Sequence, residues 1–311
     1  MKILVTGSDG LCGRAIREES LGSAHEFYFS TRQDGDLKNG ADVAKLFEKI
    51  KPDAVIHTAA RVGGMGGNVA MPCDFFYENI LINAHVIQEC VNHSVKKLLA
   101  FSSVCVFPDE LPLVEESTMH DGPAFASNSA YAYAKRMVDI HISSAIKQYG
   151  ASNYSSIIPG NTFGKSDMFS IDNGHIIPAL MHKIYLCIQN NTPLTVWGDG
   201  KSLREFIYVN DLARALISLL DMEKIPQRLI VSSPHETSIK EIVDLLTKVT
   251  GFSGEIEWDI TKPNGQRGRP TSKTLFNSLF PEFAHTPLEE GLRKTWEWFK
   301  DSYPNIRTLY N

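Results

Sequence analysis

Tyr131 and Lys135 lie four residues apart in "YAYAK", on a stretch whose apolar spacing predicts a helix over 131–150. At that spacing the phenol and the ammonium share one helix face. A free tyrosine titrates near ~10, too high for a good acid at neutral pH, and an ammonium beside it favours the phenolate and lowers that value. The lysine also suits the ribose of a nicotinamide. Ser103 ends the apolar run "KKLLAFSS", read as a strand over 96–103. Strand ends of this kind form the carboxyl edge where open α/β sheets bind ligands. Serine, tyrosine and lysine together point to hydride transfer at a carbonyl, with Ser103 donating to the same oxygen as Tyr131. Two residues after Ser103 stands Cys105, a thiol that hydride transfer does not need. By residue type alone it reads as a small buried hydrophobe, and as a reactive group only in a cationic or hydrogen-bonding setting.

A cofactor for this chemistry has a site at the N-terminus. "TGSDGLCG" places Gly7, Gly10 and Gly13 between a strand over 2–7 and a helix running through Arg17. Glycines there allow a tight turn, and the helix N-terminus supplies amide donors for a pyrophosphate. The spacing is G-x-x-G-x-x-G rather than the usual G-x-G-x-x-G. After the second strand, where an NAD site carries a carboxylate, the chain has Ser30, Thr31 and Arg32. A guanidinium suits a 2′-phosphate, so the expected cofactor is NADP (NADPH). Asp36 and Leu37 are placed to flank the adenine.

These residues need a scaffold, and the first half of the chain provides one. Strands are expected over 26–31, 53–60 and 154–160, and helices over 42–52 and 78–93, alternating with the elements above. That alternation predicts an α/β fold, a doubly wound parallel sheet covered on both faces. Beyond residue 160 the pattern loosens, with helices expected over 175–189, 209–223 and 288–303 and a cap at Asn210 or Asp211. The expected division is 1–160 with a returning segment near 205–230 for the cofactor, and 161–204 with 231–311 as a smaller C-terminal α/β substrate domain. Of 311 residues 43% are hydrophobic and 22% charged, and the net charge of −5 argues against nucleic acid or an anionic membrane as partner. The five cysteines are widely spaced with no C-x-x-C pair, so neither a disulfide scaffold nor a metal site is expected, and a cytoplasmic location is.

The combination resembles the extended short-chain dehydrogenase/reductase family over nearly the whole chain. "SSVCVFP", "AARVGGMGGN", "DMFSIDNGHIIPAL", "WGDGKSLREFIYVNDLA" and "KPNGQRGRP" resemble members that epimerise and reduce a GDP-4-keto-6-deoxy sugar. The resemblance implies a Rossmann domain, NADP held also by Ala59 and Ala60, and a homodimer. It implies that Cys105 is the base and His175 the acid for inversion beside a C4 ketone, which Ser103, Tyr131 and Lys135 then reduce. It implies a GDP-sugar held by Asn161, Lys183, Trp197, Arg204 and one of Arg267 and Arg269. Asp9 stands where bacterial members look to carry an arginine, and Phe107 where a tyrosine is common. Alternative readings are another NAD(P)-dependent nucleotide-sugar epimerase or dehydratase, and a non-catalytic NADP-sensing protein. A dehydratase would want a carboxylate just after Ser103, where Val104 and Cys105 stand.

Overall fold

The structure, a computed structural model, describes residues 1–124, 126–262 and 268–308. Its first half alternates β1 (Lys2–Thr6), α1 (Leu11–Glu19), β2 (Glu26–Phe29), α2 (Gly40–Ile50), β3 (Ala54–His57), α3 (Met65–Ala70), α4 (Pro72–Asn92), β4 (Lys97–Phe101), α5 (Ser129–Tyr149) and β5 (Tyr154–Pro159). The second half runs β6 (Asn161–Phe163), α6 (Ile176–Asn190), β7 (Leu194–Trp197), β8 (Leu203–Arg204), β9 (Phe206–Tyr208), α7 (Val209–Asp221), β10 (Arg228–Val231), β11 (Thr237–Ser238), α8 (Ile239–Thr250), β12 (Ile256–Asp259), α9 (Thr274–Leu279) and α10 (Leu288–Ser302).

Six strands pair in parallel in the order β2-β1-β3-β4-β5-β10. The chain reverses its direction of travel across the sheet between β1 and β3, which opens a crevice beyond their carboxyl ends. Side chains alternate between the two faces. Ile3, Val5, Ile56 and Leu99 pack toward α1 and α7. Leu4, Val55, Leu98 and Ala100 pack toward α2, α4 and α5. Each fully buried Val, Leu or Ile among these contributes about 1.5–3 kcal/mol by leaving water. A further core joins α6, α8 and α10 around Phe169, Leu246 and Phe299. Phe276 of α9 packs in the core under α1 and α7, not in this one. Among the described residues no helix is long and apolar enough to cross a membrane.

Two local expectations change. α4 begins at Pro72 rather than 78, because proline at the first helical turn needs no N–H partner there. Neither Asn210 nor Asp211 caps α7: Tyr208 holds the cap position. Asn210 instead donates to Glu18 and Glu19, and Asp211 accepts from Thr286 and Arg214. Cys105 lies on a 3-10 turn, Val104–Val106, that begins directly after Ser103.

A polar chain runs through the apolar interior. The Thr6 hydroxyl donates to His57 Nδ1 at 2.6 Å, and His57 Nε2–H donates to Asn83 Oδ1 at 3.1 Å. Burial, with the Lys135 ammonium nearby, pushes His57 from 6.5 down to about 3. Between those values the unfolded chain holds a proton that the folded one refuses. Stability present above pH 6.5 is therefore lost as pH falls, by about 1.4 kcal/mol per pH unit for this one group. In denaturant melts taken at falling pH, His57→Asn is expected to show a shallower loss than the unaltered chain. Equal slopes would mean that His57 charges freely in the fold.

Candidate active site

The first turn of the fold is built by close approach. Gly7 has φ +72°, and a Cβ there would stand 2.7 Å from the backbone of Ala59. A Cβ on Gly13 would stand 2.4 Å from Gly7 O and from Ser8 Cα, so α1 packs onto the turn only with glycine at that place. The N-cap Gly10 offers no side-chain acceptor and the first turn of α1 holds no acidic residue. Its leading amides thus face outward as donors for an anion. Arg32 is exposed on a 3-10 turn capped by Thr31, after β2. Asp36 takes the amide of Lys38, and Leu37 is partly buried with its carbonyl accepting from His85.

At the ends of β4 and α5 four expected residues meet. Lys135 is 2% exposed, and its Nζ donates to Phe101 O at 2.9 Å. Ser102 Oγ donates to Lys135 O, so α5 is tied twice to the end of β4. One turn earlier on α5, Tyr131 stacks edge-on against Phe75 at 6.4 Å between centroids and is hydrogen-bonded to Ser103. The Cys105 thiol donates to Ser103 Oγ at 3.0 Å. Ser103 therefore joins the phenol and the thiol.

The electrostatics differ from the sequence expectation for Tyr131. Burial pushes its phenol above the ordinary range, and nearby Cys105 and Cys12 add to this, against the Ser103 hydrogen bond. No lowering by Lys135 offsets this, and burial pushes its own ammonium down to about 8. Tyr131 is consequently a neutral phenol, a proton donor rather than a base. Cys105 is 8% exposed, and burial holds its thiol above the ordinary range, offset only in part by its hydrogen bond to Ser103 and by the charges of Lys135 and Arg269. The cationic, hydrogen-bonded setting that the sequence left open is present.

His175 is exposed at the N-cap of α6. The preceding loop is pinned across the crevice by Gly64 N–H donating to Asn173 O at 2.9 Å. A Cβ on Gly64 would stand 2.7 Å from that oxygen. Asp167, 4% exposed, is raised by burial and drawn down first by His175. Burial pushes the Cys12 thiol up to about 12, with the charge of Asp167 adding to this and that of Lys135 opposing it, so charges from the His175 loop and from α5 both act on Cys12.

Asn161, Arg204 and Arg269 line one cavity of about 80 Å³, together with Val104, Glu205 and Ser232. Burial lowers both guanidiniums, and each half-buried arginine stands beside other charge: Arg269 acts on Arg204. Two like charges held this close favour an anion between them. Arg267 lies outside the described residues. Trp197 is 57% exposed, with the Lys183 ammonium 5.2 Å and the Lys262 ammonium 5.6 Å from its ring centre, a separate aromatic and cationic cluster. A cleft of about 470 Å³ between α1, residues 165–166 and the start of α7 holds none of the expected site residues.

Sequence reasoning missed Glu205. It is 6% exposed and accepts from Ser232 Oγ at 2.7 Å, Thr271 N at 3.0 Å and Thr271 Oγ1 at 2.6 Å, with Lys273 Nζ at 2.7 Å. The signal was a lone acid before the apolar run 206–209, where a charge needs partners to be buried. Also missed was Arg61, paired with Glu78 and Asp74 beside the crevice.

A parallel sheet with a glycine turn at its first crossover and a serine–tyrosine–lysine cluster at its carboxyl edge defines a nicotinamide-dependent enzyme of the Rossmann type. Residues 3–231 match the NAD dependent epimerase/dehydratase family, and the chain belongs to it. The relatives narrow this further. The chain is 39% identical over 311 residues to GDP-L-fucose synthase of Dictyostelium discoideum, covering 98% of this chain and 97% of the relative. It is 30% identical over 320 residues to GDP-L-fucose synthase of Escherichia coli, covering 98% of each. Among solved structures, a GDP-L-fucose synthetase from Naegleria fowleri bound to NADP superposes with a TM-score of 0.92 at 35% identity, over 99% of this chain and 95% of that one.

Proposed function

We propose that this chain is a GDP-L-fucose synthase: it epimerises GDP-4-keto-6-deoxy-D-mannose at C3 and C5 and reduces the C4 ketone with NADPH. The observation that carries the reading is the joining of Cys105 and Tyr131 through Ser103, which sets a thiol and a neutral phenol around one oxygen site. NADPH supplies the hydride. The glycine turn of Gly7, Gly10 and Gly13 fits its pyrophosphate, Arg32 its 2′-phosphate, and Ala59 and Ala60 line the approach, with Asp36 and Leu37 at the adenine end. Lys135 holds the ribose.

The substrate ketone accepts hydrogen bonds from Ser103 and Tyr131. Those bonds acidify the neighbouring C–H groups, because the pair released from carbon moves onto an oxygen already held by donors. Cys105 takes the proton and His175 returns one from the opposite face, which inverts the centre. At C4 the same oxygen receives the Tyr131 proton as hydride arrives. Arg204 meets the diphosphate, with Asn161, Lys183 and Trp197 toward the sugar and base.

The cofactor domain then comprises 1–160 and a returning segment near 205–230, and the substrate domain the remainder, α9 excepted by its packing. A homodimer is supported by exposed Phe76 and Tyr77 on α4 and Tyr133 and Ile140 on α5, apolar groups on two helices packed side by side. Five free cysteines support a cytoplasmic location. The test is direct: mixed with the 4-keto sugar nucleotide, the chain is expected to consume NADPH and release GDP-L-fucose. Absence of turnover with that substrate would remove the assignment.

A further inference from the structure

We propose that Arg269 is a positioning residue for Cys105: its guanidinium grips the carbonyls that flank the thiol and sets a positive charge beside the sulfur as it takes a proton. This rests on the reading of Cys105 as the base. The sequence offered Arg269 only to the nucleotide. Three of its hydrogen bonds go elsewhere: Nη2 donates to Val104 O and Nη1 to Phe107 O, each at 3.5 Å, and Nη1 also to Pro108 O. These acceptors lie on both sides of Cys105. Arg136 of α5 also holds this turn, Nε donating to Val106 O at 3.0 Å, and ties it to Gly122 O through Nη1 at 2.9 Å. With its carbonyls so engaged, the backbone that carries the thiol is held in place beside Ser103.

Arg269 is itself anchored. Val114 N donates to Pro270 O at 2.9 Å and Ser272 N to Val114 O at 2.7 Å, clamping residues 270–272 as an extended arm. Glu205 completes the anchor through Thr271 and Lys273. Three of its donors converge on one carboxylate oxygen, Oε2. A glutamine there would either turn an N–H₂ toward these donors or lose the amide of Thr271, so the anchor requires an acid. The chain Glu205–Thr271–Arg269 thus links the floor of the diphosphate cavity to the base.

The chemistry needs a charge at that point. Cys105 acts as thiolate: the sulfur binds the proton from the carbon beside the ketone, and the C–H electron pair passes to the ketone oxygen held by Ser103 and Tyr131. The groups facing the thiol are Ser103 on its own segment, Tyr131 and Lys135 from α5, and Arg269 from the arm, whose charge is in turn drawn on by Asp109. Two of these are cations. Removing Arg269 leaves Lys135 alone to offset burial of the thiolate.

The experiment follows exchange of the substrate's C3 and C5 protons with deuterated water, using holoenzyme loaded with NADP⁺ so that no hydride is delivered. Arg269→Met is expected to slow exchange about tenfold near neutral pH and to move the rise of its pH profile up by about one unit. Arg269→Lys keeps the charge without the fork and is expected to fall between. Glu205→Gln is expected to shift the profile in the same direction, and with Arg269→Lys it carries the test if Arg269→Met does not fold. An unchanged profile together with weakened inhibition by GDP would overturn the proposal and return Arg269 to the nucleotide. Exchange at the unaltered rate in Cys105→Ser would instead overturn the reading on which it rests.

Discussion

Tyr131→Phe is expected to lower NADPH-dependent turnover by about 10²–10⁴, the usual share of a positioned proton donor. The loss follows from the protonation state that burial enforces. Tyr131 is neutral because its phenol is raised, so it holds a proton ready for the oxygen at C4. Phenylalanine keeps the edge-on contact with Phe75 but offers no proton. Ser103 remains as one hydrogen-bond donor, so exchange beside the ketone is expected to fall less than reduction does. The measurement is the loss of reduced-nicotinamide absorbance under saturating substrate, set beside the deuterium exchange rate. Turnover within a few-fold of the unaltered chain would show that another group delivers the proton.

Cys105→Ser is expected to separate the two activities. A serine hydroxyl is a far weaker acid than a thiol, so it does not supply a base at neutral pH, and inversion is expected to drop by about 10²–10⁴. Ser103, Tyr131 and Lys135 stay in place, and their ties between α5 and β4 do not involve the sulfur. Hydride transfer is therefore expected to continue on the uninverted sugar. Proton NMR of the product distinguishes the outcomes: a reduced sugar with its original C3 and C5 configuration supports the roles proposed, and GDP-L-fucose at the ordinary rate refutes them.

The sheet was legible because its strands are short apolar runs ended by turn residues. β1, β3, β4 and β5 fall inside the expected spans, and α5 and α6 agree with them within two residues at each end. Helix starts were less legible where no cap marks them, as at Pro72, whose preceding Met71 makes no side-chain cap. The brief strands β8 and β9 were not anticipated at all. They exist through partners far away in the chain, Arg204 opposite Thr237 and Phe206 opposite Asn161, and no local period encodes that.

Within the site, types and spacing identified Ser103, Tyr131 and Lys135, since a helix face and a strand end are local properties. The role of Glu205 was not local. It depends on Ser232, Thr271 and Lys273 arriving from two later segments, and pattern reading along one strand does not see such convergence. The same holds for the sign of the Tyr131 shift. Spacing placed the lysine near the phenol, but burial of both groups decided the balance, and burial is a tertiary quantity.

The backbone bond between Gly64 and Asn173 has a consequence for anyone wishing to alter which sugar this scaffold accepts. Because main-chain atoms make it, it reads length and path, not side-chain identity. Point changes near residues 168–175 leave it intact, whereas grafting a longer or shorter segment from another scaffold severs it and frees His175 to drift. The stretch around residue 64 and the one before His175 are therefore a single cassette, to be transplanted together.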